Sequence, residues 1–269
     1  MKVQNKVIVV TGAGSGMGRA LTLRLVAMGA KVAAVDLNPD TLAETVNLAG
    51  SNKEKISTHV VNVSDKGAVD NLPQAVIDAH GTVDSLINNA GIIQPFVKLA
   101  DLDDRTIERV LNVNLYGVIY MTRAFLPHLL KRPEAHITNV SSMGGFFPVP
   151  GQTIYGASKA AVKLMTEGLY AELIDTNVGV TVVFPGAIAT NITENSGVDM
   201  PAAAAMENTP AMRMTSAEDA AQAIIDGIER DKFQVYVGND AKLMNIFYRI
   251  SPLRATKFMY NQMKSLLSQ

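Results

Sequence analysis

A short apolar run, Val7 to Val10, leads directly into Thr11-Gly12-Ala13-Gly14-Ser15-Gly16-Met17-Gly18 and then a helical pattern through Leu21, Leu25 and Met28. No other segment constrains the fold as tightly. A strand that is apolar at every position is covered on both faces. The glycines allow a tight turn and close approach to the backbone, and the helix they open presents free amides and a positive dipole end to an anion. Gly29 stops that helix and Lys31 to Val35 reads as the next strand. The alternation continues with a helix at Thr41 to Leu48, a strand at Ser57 to Val63, a helix at Ala68 to Ala79 and a strand at Val83 to Ile87. A long helix from about Arg105 to Leu130 follows, then a strand at Ala135 to Val140, a helix at Thr153 to Ile174 and a strand at Val178 to Phe184. Thr215-Ser216-Ala217-Glu218 reads as a capping-box start for a helix reaching Arg230, before a last strand at Phe233 to Val237. This rhythm predicts an α/β fold: a doubly wound, seven-stranded parallel sheet flanked by helices, with a C-terminal helical extension.

No linker-like stretch interrupts the 269 residues, so they read as one domain over 1–269, with a lid segment at 187–214 and the extension at 239–269. There is no cysteine, which excludes disulfides, thiolate metal sites and cysteine nucleophiles. The four histidines lack paired metal-ligand spacing, so no metal is expected. A net charge of −1 argues against a nucleic-acid surface. Val7 to Val10 is too short for a signal segment and no run is long enough to span a bilayer, so a soluble cytoplasmic protein is expected.

The chemistry centres on Tyr155 and Lys159. Four residues apart on a helix, they share one face, and an ammonium beside a phenol favours its ionised form. Tyr260 and Lys264 have the same spacing. Surroundings must therefore separate the two pairs. Asp36, at the end of the second strand, is placed to accept from both hydroxyls of a ribose, while a 2′-phosphate would meet like charge. Neither Leu37 nor Ser15 supplies a compensating cation, which favours NAD over NADP.

With Thr11, Gly12, Gly16 and Gly18 in a Thr-Gly-x-x-x-Gly-x-Gly loop, Asn88-Asn89-Ala90-Gly91 after the fourth strand, and Ser142 thirteen residues before Tyr155, the chain closely resembles the short-chain dehydrogenase/reductase superfamily. The resemblance runs from about Lys6 to Gly238 and implies a Rossmann-type domain. It implies that Ser15, Met17 and Leu37 join the glycines and Asp36 at the cofactor, that Asn89, Ala90 and Gly91 shape its adenosine side, and that Pro185, Gly186, Ile188 and Thr190 hold the nicotinamide carboxamide. Asn62 and Val63 are expected at the cofactor too; Asn62 stands where the family usually has an aspartate on the adenine, and an amide can still hydrogen-bond there. The resemblance further implies that Ser142 orients the substrate, Tyr155 moves the hydroxyl proton, Lys159 lowers its pKa and contacts the nicotinamide ribose, and Asn114, a helix-kink asparagine, links Lys159 to water.

The reaction so implied is NAD-linked interconversion of a secondary alcohol and a ketone. The alternatives are an NADPH-linked ketone reductase and a catalytically silent NAD-binding sensor or scaffold. Ile93, Pro95, Phe96, Met143, Phe146, Phe147 and Val149 are candidates for an apolar substrate pocket or for ordinary core. A homotetramer or a dimer is implied, with the helices around Arg105 to Leu130 and Thr153 to Ile174 as the interface. From Ala241 to Gln269 there are five basic residues and no acidic one. If Pro252 to Leu267 is helical, Leu253, Met259, Tyr260, Met263, Leu266 and Leu267 cluster on one side, either docking on a subunit or lying weakly on a membrane surface.

Overall fold

Val7–Thr11 (β1) is buried at all five positions and pairs in parallel with Lys31–Asp36 (β2) on one side and Ser85–Asn88 (β4) on the other. In the computed structural model, which describes residues 1–198 and 214–264, these three strands belong to one seven-stranded sheet. The others are Ile56–Val60 (β3), Ala135–Val140 (β5), Val178–Pro185 (β6) and Gln234–Val237 (β7), in the order β3-β2-β1-β4-β5-β6-β7. Every pairing is parallel. The chain passes from β1 outward to β3, then returns to place β4 on β1's other side. That reversal leaves a crevice beyond the carboxyl ends of β1 and β4, where ligands of such sheets bind.

The helices follow their caps. Asn38 accepts from the amides of Asp40 and Thr41 to start Pro39–Leu48 (α2), after Gly16–Ala27 (α1). Asp65 caps Lys66–His80 (α3), which Gly81 ends at φ 82°. The long helix expected from Arg105 to Leu130 is Asp104–Leu111 (α4) and Gly117–Leu129 (α5), joined by a π turn over Asn112–Tyr116. Thr153–Leu173 (α6) follows β5, and Ile192–Ser196 (α7) follows β6. Ser216, not Thr215, caps Ala217–Glu229 (α8), accepting from Asp219 N, while Thr215 bridges to Ile188. The extension is two helices, Asn239–Ile250 (α9) and Pro252–Met263 (α10).

β3 stops at Val60, short of the expected Val63. Asn62 is the reason: its Oδ1 accepts from the amide and hydroxyl of Ser64, a local turn that competes with the ladder. The middle of the expected lid, 199–213, and Leu266 and Leu267 of the expected tail face lie outside the described residues.

Candidate active site

The crevice is stitched together by backbone and amide contacts. Thr11 Oγ1 accepts from the amides of Asn89 and Ala90, both at 3.0 Å, and Asn89 Nδ2 donates to Thr11 O at 2.9 Å. These bonds fix the turn after β4 against the glycine loop. Within the loop, a Cβ on Gly18 would lie 1.8 Å from Gly12 O, so no side chain fits there. Gly16, at φ 49°, faces Thr190. Asp36 accepts from Gly14 N at 2.9 Å and Asn38 N at 3.1 Å, leaving about half of its acceptor capacity open. Leu37 beside it is 65% exposed. The sequence reading missed Arg19, whose guanidinium donates to Gly14 O, Thr45 Oγ1 and Glu44 Oε2. It braces the loop and is itself neutralised by Glu44.

Two residues expected at the cofactor have part of their side chains engaged elsewhere. Val63 is buried and its side chain packs against Gly117, leaving only backbone to face a ligand. Asn62 commits its oxygen to Ser64, so its amide nitrogen is the group left to meet an adenine. Asn88 faces the sheet interior, donating to Asn139 Oδ1 and Thr122 Oγ1.

On the other side of the crevice, Ser142 follows β5 and its Oγ accepts from Gly144 N, while a Cβ on Gly144 would lie 3.3 Å from the Tyr155 ring and 3.5 Å from Ser142 Oγ, so hydroxyl and ring are neighbours. Ser141 points away, donating to Lys159 O. One turn along α6 from Tyr155, the Lys159 ammonium donates to Val140 O at 3.0 Å. A Cβ on Gly91 would come within 3.1 Å of Lys159 Nζ and 3.3 Å of Asn114 Oδ1. Gly91 therefore makes room for the lysine, a role the Asn-Asn-Ala-Gly pattern alone did not suggest. Asn114, fully buried in the π turn, bonds both polar atoms of the Ile92 peptide and donates to Ser158 Oγ. Ser158 in turn donates to Tyr155 O.

The electrostatics correct one expectation. Burial pushes the Tyr155 phenol up, and the Ser142 hydrogen bond only partly opposes it, so the free site does not hold a depressed tyrosine. Lys159, 3% exposed, is lowered by burial to about 8. A lysine depressed from 10.5 contributes stability that is present above the ordinary value and lost as pH falls through the folded one. Tyr155, raised above 10, begins to act only beyond that. Unfolding free energy is therefore expected to rise between about pH 8 and 10. Denaturant titrations should show this slope in the native protein and a flatter profile in Lys159→Met.

The sequence reading also missed Gln94. It is fully buried in the loop after β4, and its Oε1 accepts from the amides of Ile154 and Tyr155, both at 2.9 Å. Its Nε2 donates to Gly151 O, and its main-chain oxygen accepts from Gln152 Nε2. A side chain from across the crevice thus caps α6 at the residue that carries the phenol. The signal was a lone polar residue in the apolar run Ile92-Ile93-Gln94-Pro95-Phe96. Gln94→Leu is expected to cut kcat by about ten- to a hundredfold by misplacing the tyrosine. Gln94→Glu, which keeps both acceptor bonds, should retain more activity in the same steady-state assay.

Two later segments close on the site. Asn195 of α7 donates to Ser15 Oγ, while Ser196 accepts from Ile93 N and from the Arg109 guanidinium. After β6, Gly186 N bonds Val237 O and Ala187 N bonds Asp240 Oδ2, so the first turn of α9 holds the Pro185-Gly186 loop. The extension packs on its own subunit: Met244, Ala255, Met259 and Met263 bury against Phe147, with Phe96, Met143, Phe146 and Val149 alongside. Leu253 and Tyr260, expected on that face, are exposed instead. The helical phase of α10 turns Ala255, Met259 and Met263 inward and leaves them out.

The family model for short chain dehydrogenases matches residues 6–201, and the chain belongs to that family. It is 38% identical over 254 residues to the putative oxidoreductase SadH of Mycobacterium tuberculosis, covering 92% of this chain and 91% of that one. A short chain dehydrogenase/reductase from Burkholderia phymatum, solved in complex with NAD, superposes with a TM-score of 0.85 at 28% identity, over 94% of this chain and 96% of that one. A short chain dehydrogenase from Burkholderia cenocepacia J2315, solved with NADP, gives 0.80 at 25% identity, over 96% and 99%. The protein is thus an oxidoreductase of the short-chain dehydrogenase/reductase superfamily.

Proposed function

We propose that this protein interconverts an apolar secondary alcohol and its ketone using NAD(H). The observation that carries the reading is Ser142 Oγ and the Tyr155 ring side by side at Gly144, one helical turn from the buried Lys159, beside the β1/β4 crevice. The glycine loop fits the cofactor: Gly18 packs on Gly12 O with no room for a side chain, Gly12 turns at φ 69°, and Asp36 retains acceptor capacity. Gly12, Ser15, Gly16, Met17 and Gly18 would hold the pyrophosphate, Asp36 and Leu37 the adenosine ribose, Asn62, Val63, Asn89 and Ala90 the adenine side, and Pro185, Gly186, Ile188 and Thr190 the nicotinamide. When bound, the nicotinamide takes or returns a hydride.

The chain's own residues handle the proton and the substrate oxygen. Ser142 holds that oxygen beside Tyr155, whose phenol takes the hydroxyl proton in oxidation and returns it in reduction. The Lys159 ammonium, one turn along α6, would favour the phenolate so formed. Asn114 keeps the π turn against Ile92 and steadies the Tyr155 turn through Ser158. Met143, Phe146, Val149 and Phe96, beside the extension, supply the apolar wall.

The same reading makes the protein a cytoplasmic homo-oligomer, with a tetramer favoured over a dimer. Ala157, Ala160, Leu164 and Gly168 support it, forming an exposed row of small and apolar residues along α6. Reduction of matched ketones by NADH tests the substrate class. Apolar ketones should exceed polyhydroxylated ones in kcat/KM by about tenfold or more. The reverse order would overturn the apolar assignment.

A further inference from the structure

The C-terminal helix pair has a second apolar face that its own subunit does not use. Met244, Ala255, Met259 and Met263 turn inward. On the outside, Leu243 is 60% exposed, Ile246 57% and Ile250 77%, and Leu253 continues the row past the Ser251-Pro252 elbow at 66%. At helical spacing, Leu243, Ile246 and Ile250 occupy one arc of α9, bordered by Lys242 and Arg249. Arg254 and Lys257 are exposed on α10. Among the described residues no carboxylate forms an ion pair with Lys242, Arg249, Arg254 or Lys257. No acidic residue follows Asp240 in the chain.

We propose that this outward face docks on an anionic lipid surface. Large exposed apolar side chains inside a basic border suit an interfacial helix, whose apolar side enters the acyl boundary while cations meet the headgroups. Charge complementarity selects this occupant over a second copy of the chain. A two-fold contact through the same face would set one basic border against another. An anionic leaflet instead meets every one of these cations with opposite charge. The inner face of the same helices packs beside Met143 and Phe146, next to Ser142, so docking would place the apolar side of the crevice near the bilayer. The inference does not depend on which reaction the site performs.

Cosedimentation of the full chain with vesicles tests it. Binding is expected to vesicles of phosphatidylcholine containing roughly one third phosphatidylglycerol, weaker at high salt, and much less to phosphatidylcholine alone. The double variants Ile246→Ser/Ile250→Ser and Lys242→Glu/Lys257→Glu should each lower partitioning by about tenfold. Both substitutions lie on the exposed face, and circular dichroism with NAD titration checks that each variant is folded. Absence of binding to the anionic vesicles would overturn the proposal, as would variants that sediment like the native chain. Light scattering that shows Ile246→Ser/Ile250→Ser dissociating the native oligomer would assign the face to a second copy and also overturn it.

Discussion

Tyr155→Phe should lower kcat for secondary-alcohol oxidation by about a thousandfold or more, equivalent to about 4 kcal/mol of barrier, while NAD affinity stays within about threefold. The change removes one oxygen and leaves the ring beside Gly144 and the start of α6 unchanged. What disappears is the phenol hydroxyl of the ring that lies beside Ser142. Because burial raises Tyr155, the native rate of oxidation should climb with pH as the phenol loses its proton, and the variant should lose that dependence. Ser142→Ala removes the partner that opposes the burial effect and is expected to cost less, about a hundredfold. Steady-state kinetics with a cofactor titration for each variant separates proton transfer from binding.

Asp36→Arg should reverse the cofactor preference, lowering kcat/KM with NAD by about a hundredfold and shifting the NAD-to-NADP ratio by about a thousandfold or more. The carboxylate is acceptor-only and would bind two ribose hydroxyls but repel a 2′-phosphate. Arg19, the cation bonded to Gly14 O on the same loop, is paired with Glu44 and does not offset that charge. Asp36 also holds Gly14 N and Asn38 N, so the arginine loosens the loop as well as changing its charge. Asp36→Asn separates the two effects, since its oxygen can keep one of those bonds without the repulsion. Kinetics with both cofactors should place it between the native protein and the arginine variant.

The seven parallel strands, a helix kink at Asn114 and the placing of Ser142 beside Tyr155 were legible because each has a signature along the chain, whereas the strand order and the π form of the kink were not. Apolar runs mark parallel strands, and Ser142, Tyr155 and Lys159 have fixed separations along the chain. Gln94 and Asp240 were not legible, because their partners lie more than fifty residues away in sequence; Arg19 was not, because no periodicity marks it and its pairing with Glu44 depends on how α2 packs on the loop. The direction of the Tyr155 shift was missed for a related reason. Spacing reveals a lysine one turn away, but burial, which outweighs the opposing hydrogen bond, follows from packing by several elements. The tail was half legible: the basic bias is in the composition, whereas the inward turn of Met259 and Met263 depends on the Ser251-Pro252 elbow. Tyr260 and Lys264 repeat the Tyr155 spacing, but Tyr260 stands 52% exposed on α10.

The central claim is hydride transfer between a secondary carbinol and NAD, with Tyr155 moving the proton. A panel of apolar secondary alcohols deuterated at the carbinol carbon, incubated with NAD and followed by mass spectrometry of the cofactor, tests it directly. The expected result is deuterated NADH from at least one alcohol, with a primary isotope effect on the native enzyme and label transfer by Tyr155→Phe slower by about a thousandfold. NAD binding without label transfer from any alcohol, or equal transfer by Tyr155→Phe, would contradict it.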